Sequence, residues 1–303
     1  MIHMNLNLRP DLVKAEPLPG FAGQSVAVDC LRLDRLHPVV SGNKWFKLQG
    51  WLQASADPPP RALLTFGGAY SNHILATAYA ANSMGLSSIG IIRGEAQELN
   101  SITLREAASL GMEIRPGSRT AYRNFQNDPA AIPGIPPQTL IIPEGGSGLP
   151  GIRGAATILD LLPERAAYSH ICLALGTGTT LAGILQASAP HQQVIGISSL
   201  KGKDAFTPWL RQRFPEAASR CHIFMQYHGG GYARFDPELL GFMNSIYRTY
   251  GLPTDFVYTA KALLALQRLA QENYFPTGAK LLFIHTGGLQ GNRGLPAGSL
   301  IFL

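Results

Sequence analysis

The sequence predicts an α/β protein of open, twisted, largely parallel sheets covered by helices. Three observations carry that prediction. Apolar runs without polar alternation recur along the chain, among them ALLTF (62–66), SSIGIIRG (87–94) and KLLFIHTGG (280–288), and strands buried on both faces read this way. Helix-like segments rather than tight turns separate them, which is the pattern of parallel crossover connections. Four strand ends carry glycine clusters, FGGAYSN, PEGGSG, LGTGTT and HTGGLQG, at the position where open parallel sheets bind their ligands.

Taken in order, VVSGNKWFKLQGW (39–51) places Lys44 in a turn between apolar residues. ALLTF is a buried strand leading through GGAYSN into the helix HILATAYAANSMG, and SSIGIIRG is a second strand. SITLREAASLG reads as a helix ending at Gly111, and NDPAAIPGIPPQ (127–138) as a proline-rich surface connection. TLIIPEGG (139–146) is a third strand, followed by the helical IRGAATILDLLPE. PERAAYSH marks a break near residue 165, after which ICLALGTGTT, LAGILQAS, QVIGISSL, PELLGFMNSIYRTYG, KALLALQRLAQENY and KLLFIHTGG repeat the strand–helix alternation.

The chain has 303 residues, 46% of them apolar and 15% charged, enough for a substantial core and one large or two smaller domains. No apolar run reaches membrane-spanning length, and MIHMNLNLRPDL lacks a basic-then-apolar leader pattern. Cys30, Cys172 and Cys221 lie far apart without metal-ligand spacing, so a reducing, cytoplasmic location and no metal are expected. The net charge of +6 is spread along the chain. That argues against nucleic acid and suits small anions such as phosphates and carboxylates.

LGTGTTLAG offers the most chemistry. Gly176 and Gly178 permit close backbone approach, Thr177, Thr179 and Thr180 add hydroxyls, and the following helix directs free N–H groups into the loop. This is a phosphate cradle, although a capped strand–helix turn explains the motif equally well. It has no P-loop lysine and no acidic residue about twenty positions on, so a small phosphorylated cofactor fits better than a nucleotide. In GGAYSNHIL, Ser71, Asn72 and His73 open another helix. N-capping is their commonest role there, and a carboxylate site is compatible with it.

The Gly-Asn-Lys turn, the Ser-Asn helix start, the Gly/Thr loop and the late HTGG appear in that order. Together with SGNKWFKL, YSNH and DFVYTAKALLAL, they resemble the pyridoxal-phosphate (PLP) enzymes of the tryptophan-synthase-β-like fold. Within these the chain is most similar to the D-cysteine desulfhydrase / 1-aminocyclopropane-1-carboxylate deaminase family. The resemblance implies two sheets in two domains, a large PLP-binding one from 1–50 and 165–303 and a small one inserted at 51–164. It implies a homodimer acting on a small amino acid, with neither nucleic acid nor membrane as partner.

By matched position, Lys44 is the residue that bonds PLP covalently. A largely apolar setting lowers a lysine's pKa towards the neutral, nucleophilic form. Asn43 or Asn72 contacts the cofactor ring, Asn72 matching the residue that bonds its phenolic oxygen. Gly176, Thr177, Gly178, Thr179 and Thr180 hold the phosphate, and Thr286 partners the ring nitrogen. Ser71, with Asn72, His73 and Tyr258, faces the substrate, and Tyr232 and Tyr258 match two active-site tyrosines. Each tyrosine is equally readable as a core aromatic with a satisfied hydroxyl.

A hydroxyl rather than a carboxylate at the ring nitrogen favours loss of a β-substituent, and Thr259 stands where the ring-opening deaminases carry glutamate. The implied reaction is therefore β-elimination from a small amino acid, D-cysteine above all, giving pyruvate, ammonia and hydrogen sulfide. Lys44 and Ser71 are the two candidates for the group that takes the α-proton. The alternatives are 1-aminocyclopropane-1-carboxylate deamination and a PLP- or amino-acid-binding protein without turnover. A nicotinamide oxidoreductase leaves Lys44 unexplained. The chain departs from the family at Trp45 and Phe46, where a basic residue is expected two positions after the lysine, and at Tyr70, where glutamine is usual.

Overall fold

Six consecutive buried residues, Ala62–Gly67, make the centre of one sheet, and Lys280–His285, buried from its second residue on, the centre of another. The structure, a computed structural model, describes residues 6–55, 57–95, 99–202 and 204–303. Its first half runs β1 (Ala15–Pro17), β2 (Ala27–Arg32), α1 (Asn43–Ala54), β3 (Ala62–Gly67), α2 (Asn72–Ser83), β4 (Ser87–Arg93), α3 (Ile102–Ser109), β5 (Met112–Gly117), α4 (Arg119–Asn127), β6 (Thr139–Ile142) and α5 (Leu149–Ala156). The second half runs β7 (His170–Leu175), α6 (Thr179–Ala187), β8 (Gln193–Ser198), α7 (Phe206–Arg213), α8 (Pro215–Ala218), β9 (Cys221–Phe224), α9 (Pro237–Tyr250), α10 (Thr259–Gln271) and β10 (Lys280–His285).

The four-stranded sheet has the order β5-β4-β3-β6, and the six-stranded sheet β1-β2-β10-β7-β8-β9. Among the described residues, every pairing of these strands is parallel except β1 with β2, as the apolar strand runs predicted. β2, β5 and β9 carry too little apolar signal to be read as buried strands. β2 (AVDCLR) includes Asp29 and Arg32, and β5 (MEIRPG) lies at a sheet edge where Pro116 costs no central ladder bond. Arg32 is buried against Asp34 at 2.7 Å and Glu16 at 2.9 Å. Burial alone would push the Asp34 carboxyl up, but His285 and Arg32 hold it below the usual range.

The stretch around Lys44 is not a turn. It is the first turn of α1, entered through Gly42 at φ +67°. The helix then packs on α5, and α5 on α6, with glycines at the contacts. A Cβ on Gly154 would lie 1.9 Å from the Phe46 carbonyl oxygen, one on Gly50 2.1 Å from that of Pro150, and one on Gly183 2.6 Å from that of Ile152. Backbone against backbone leaves nothing soft to yield. Gly154→Ala is therefore expected to destabilise by about 2–3 kcal/mol in urea unfolding. Gly241→Ala, in open space within α9, should be neutral or stabilising by up to about 1 kcal/mol. Equal effects at the two positions would contradict the close-packing account.

Candidate active site

One cavity collects residues from six separated segments: Asn43, Lys44 and Lys47 of α1, Asn72 of α2, Gly145 after β6, Gly176–Gly178 and Thr180 after β7, Tyr258 before α10, and Thr286–Gly288 after β10. The carboxyl ends of the parallel strands β7 and β10 put the glycine–threonine loop and Thr286–Gly288 there. β7 runs into Gly176, β10 into Thr286, and the chain enters each following element at the same end of the sheet. α1 is tied to the same place by its backbone. The Asn43 N–H donates to the Thr286 carbonyl at 3.2 Å, and a Cβ on Gly42 would sit 2.0 Å from that oxygen.

Lys44 is half-buried and its Nζ donates to Asn43 Oδ1 at 2.8 Å, while Asn43 Nδ2 donates to Thr180 Oγ1 at 2.8 Å. A continuous polar chain thus joins the lysine to the glycine–threonine loop. Burial lowers the Lys44 pKa to about 8, against the opposing pull of Asp255. That carboxylate is fully occupied: it accepts from the N–H groups of Val257, Tyr258 and Thr259 and from the Thr259 hydroxyl, at 2.7–2.9 Å. It caps α10 and acts on the lysine only through space.

Lys47 was not singled out from the sequence, yet it lines the cavity. It lies three residues after Lys44, nearly one helical turn on, so once α1 is read as a helix both lysines share a face. Burial first, and then the neighbouring Lys44 charge, push its pKa far below the ordinary lysine value. Trp45 and Phe46, on the other side of the helix, are buried in the core and do not line the cavity.

The Gly176–Thr180 loop ends in α6, whose N-cap Gly178 has φ +81° and provides no side-chain cap. Thr177 and Thr179 hydroxyls are 3.0 Å apart. The first N–H groups of the helix therefore have no side-chain acceptor and face the cavity end. Gly176 lies under Tyr258, where a Cβ would approach the ring to 3.1 Å.

Ser71 caps α2, its hydroxyl accepting from Ile74 N–H at 3.3 Å, so the N-cap reading of this residue holds. Asn72 reaches the cavity with a buried Oδ1 that has no partner. His73 is buried below, both ring nitrogens unpartnered, and burial together with Lys47 and Lys44 keeps its pKa well down and the ring neutral. Ser71 and His73 are thus beside the cavity rather than in its wall. Tyr232 is exposed and sits edge-on to Tyr258, with ring centroids 6.2 Å apart. Its loop is pinned by Lys261, whose buried Nζ donates to the carbonyls of His228 and Gly231 at 2.9 and 2.7 Å. Thr259 is spent on Asp255, and Tyr70 is exposed beside Gly294.

The low pKa of Lys44 is directly measurable. Acetylation of the cofactor-free protein, quantified on the Lys44 peptide by mass spectrometry, should reach half its plateau near pH 8. A midpoint at the ordinary 10.5 would refute the burial argument.

No protein-family model matches the chain. It is 29% identical over 288 residues to the bifunctional D-cysteine desulfhydrase/1-aminocyclopropane-1-carboxylate deaminase of Arabidopsis thaliana, covering 83% of this chain and 70% of that one. The D-cysteine desulfhydrase of Yersinia pestis is 23% identical over 301 residues, covering 91% and 90%. Among solved structures, an ACC deaminase homologue superposes with a TM-score of 0.78 at 25% identity, over 92% of this chain and 90% of that one. A fungal L-serine ammonia-lyase from Rhizomucor miehei shares the fold, with a TM-score of 0.67 at 14% identity over 91% and 93%. Over most of its length this chain is thus similar to proteins named D-cysteine desulfhydrase and 1-aminocyclopropane-1-carboxylate deaminase.

Proposed function

We propose that the chain is a PLP-dependent lyase that eliminates the β-substituent of a small amino acid, with D-cysteine the first substrate to test. The observation that carries this is the meeting of a low-pKa lysine with an uncapped helix start across one cavity. The fit to the cofactor rests on three features: two lysines without a carboxylate partner within 4.0 Å among the described residues, the open N–H groups of α6, and the orphaned Asn72 Oδ1. A dianionic phosphate answers the first two.

In this reading Lys44 holds the cofactor covalently, Gly176–Thr180 and Lys47 its phosphate, Asn72 its ring oxygen, and Thr286 its ring nitrogen. PLP, when bound, supplies the electron sink for a carbanion at the substrate's α-carbon. The Lys44 amine is the group that would take the substrate's α-proton. Its lowered pKa lets it be neutral enough to accept at physiological pH. Ser71 and the first N–H groups of α2 receive the substrate carboxylate. Tyr258, held by its backbone N–H on Asp255, and Tyr232 orient the side chain.

Thr286 offers a hydroxyl and not a charge, and no aspartate or glutamate lines the cavity among the described residues. Both features support elimination over ring opening of 1-aminocyclopropane-1-carboxylate, since Thr259, at the deaminase glutamate position, is committed to Asp255. A domain division at about 51–164, cytoplasmic location and a homodimer belong to the same reading, on the strength of the resemblance. No helix among the described residues is long and apolar enough to cross a membrane.

The test is pyruvate release by the PLP-loaded protein from D-cysteine, L-cysteine and 1-aminocyclopropane-1-carboxylate. Lys44→Ala should lower turnover at least 10³-fold, the upper range for a group that both binds and transfers a proton. Lys47→Ala should weaken cofactor retention, followed by absorbance after dialysis. Absence of turnover with all three would overturn the lyase reading as stated.

A further inference from the structure

A second cavity on the four-stranded-sheet side is not used by the chemistry above. It is open, about 460 Å³ in volume, and walled by Arg93, Arg119, Tyr122, Arg123 and Gln126. Arg93 comes from the end of β4, and the other four from α4. Arg119, Arg123 and Gln126 follow the spacing that puts residues on one face of a helix.

Among the described residues, none of the three arginines has a carboxylate within 4.0 Å. Arg93 lies instead over the ring of Tyr122, 5.7 Å from its centroid. Glu144 is joined to this wall, accepting from Gln126 Nε2 at 3.0 Å. Tyr122 itself is 3% exposed, and its buried hydroxyl lies under the influence of Glu144 without a well-formed hydrogen bond among the described residues.

The arrangement is unfavourable as it stands. Arg119 is the first residue of α4, where a cation opposes the helix dipole, and Arg123 is four residues on, where a like charge repels it. An anion between them would reverse both effects, and guanidinium forks bind phosphate, sulfate and carboxylate in two-point fashion.

This cavity shares no lining residue with the candidate active site, but two links run between them. A Cβ on Gly68 would lie 3.9 Å from Arg93 Nη2, and Gly68 opens the loop that leads to Ser71 and Asn72. From the other sheet, Tyr232 is near enough for Arg93 and Glu144 to act on its hydroxyl, and its ring meets Tyr258 in the cavity wall.

We propose that Arg93, Arg119 and Arg123 receive an anionic group at the rim of the candidate active site, and that this group is the far end of the amino-acid substrate. The second half rests on the lyase reading. The substrate class is then a β-substituted amino acid bearing phosphate, sulfate or carboxylate on its side chain. With O-phosphoserine the Cα–H proton passes to Lys44 and the Cβ–O bond breaks with its electron pair on the departing phosphate. One water then replaces nitrogen at the α-carbon, so that phosphoserine and water give pyruvate, ammonia and phosphate.

The experiment compares the PLP-loaded wild type with Arg119→Gln/Arg123→Gln. Pyruvate release is measured from both enantiomers of O-phosphoserine and of β-chloroalanine, whose side chain is uncharged. Titration calorimetry with inorganic phosphate is run on the same two proteins. The expected result is a KM rise on O-phosphoserine at least tenfold larger than on β-chloroalanine, with kcat little changed. Phosphate binding should be lost in the glutamine variant and largely restored in Arg119→Lys/Arg123→Lys. Both arginines are exposed, so the variants should melt like the wild type.

Phosphate binding that depends on the arginines, with no KM discrimination, would overturn the substrate half and leave a site for a free anion. The same binding without turnover of any amino acid would sink the lyase reading while the anion receptor stands. No phosphate binding and equal KM effects would overturn the proposal entirely.

Discussion

The backbone of Gly42 rests on the backbone of Thr286, and the rest of the candidate site depends on that contact. A Cβ at Gly42 would come within 2.0 Å of the Thr286 oxygen, and the next N–H, that of Asn43, donates to it. The start of α1 is thereby fixed to the end of β10, the neighbour of β7, which carries the glycine–threonine loop. With no side chain intervening, the position of Lys44 over the loop is set by main-chain geometry. The glycine contacts along α1, α5 and α6 continue the same constraint, so the lysine helix and the loop helix are held through α5 as one packed unit.

That rigidity holds together charges that would otherwise separate. Lys44 and Lys47 face one cavity, beside a positive helix end, with Asp255 occupied by three backbone N–H groups. Each lysine loses basicity first through burial; the Lys44 charge adds to that loss at Lys47, while Asp255 opposes it at Lys44. The local balance is a deficit of negative charge, and a dianion is the species that removes it. Binding such a ligand to the folded state alone must stabilise the fold, by about 2.7 kcal/mol at a free concentration one hundred times Kd.

Much of this was legible in the sequence because strand-end glycines and continuous apolar runs are local signals. ALLTF, SSIGIIRG and KLLFIHTGG became β3, β4 and β10, and LGTGTT the loop before α6. What escaped was set by tertiary context. β2 and β9 pair with buried neighbours but read as mixed polarity. Lys47 is invisible while Gly-Asn-Lys reads as a turn, because only the helical period places a residue three positions after Lys44 on the same face. Asp255 had only a weak signal, an aspartate ahead of a helix that can accept from backbone N–H groups two and three residues on. Lys261 had none, since its two acceptors are carbonyls thirty or more residues away.

The two sides of the cleft divide the work in a way that neither sheet could achieve alone. The six-stranded sheet contributes loops whose backbone N–H groups are fixed by strands buried on both faces, and a fixed dipole loses nothing to reorganisation when charge arrives. The four-stranded sheet contributes the start of α2 and, further out, the arginines of β4 and α4. Tyr232 and Tyr258 meet the second set from the first. Under the proposal above, chemistry on the rigid side and recognition on the other would allow the substrate's side chain to change without disturbing the lysine. Arg119 and Arg123, costly to α4 in the absence of a ligand, and Arg93 beside them would be the place on this chain where such a change is written.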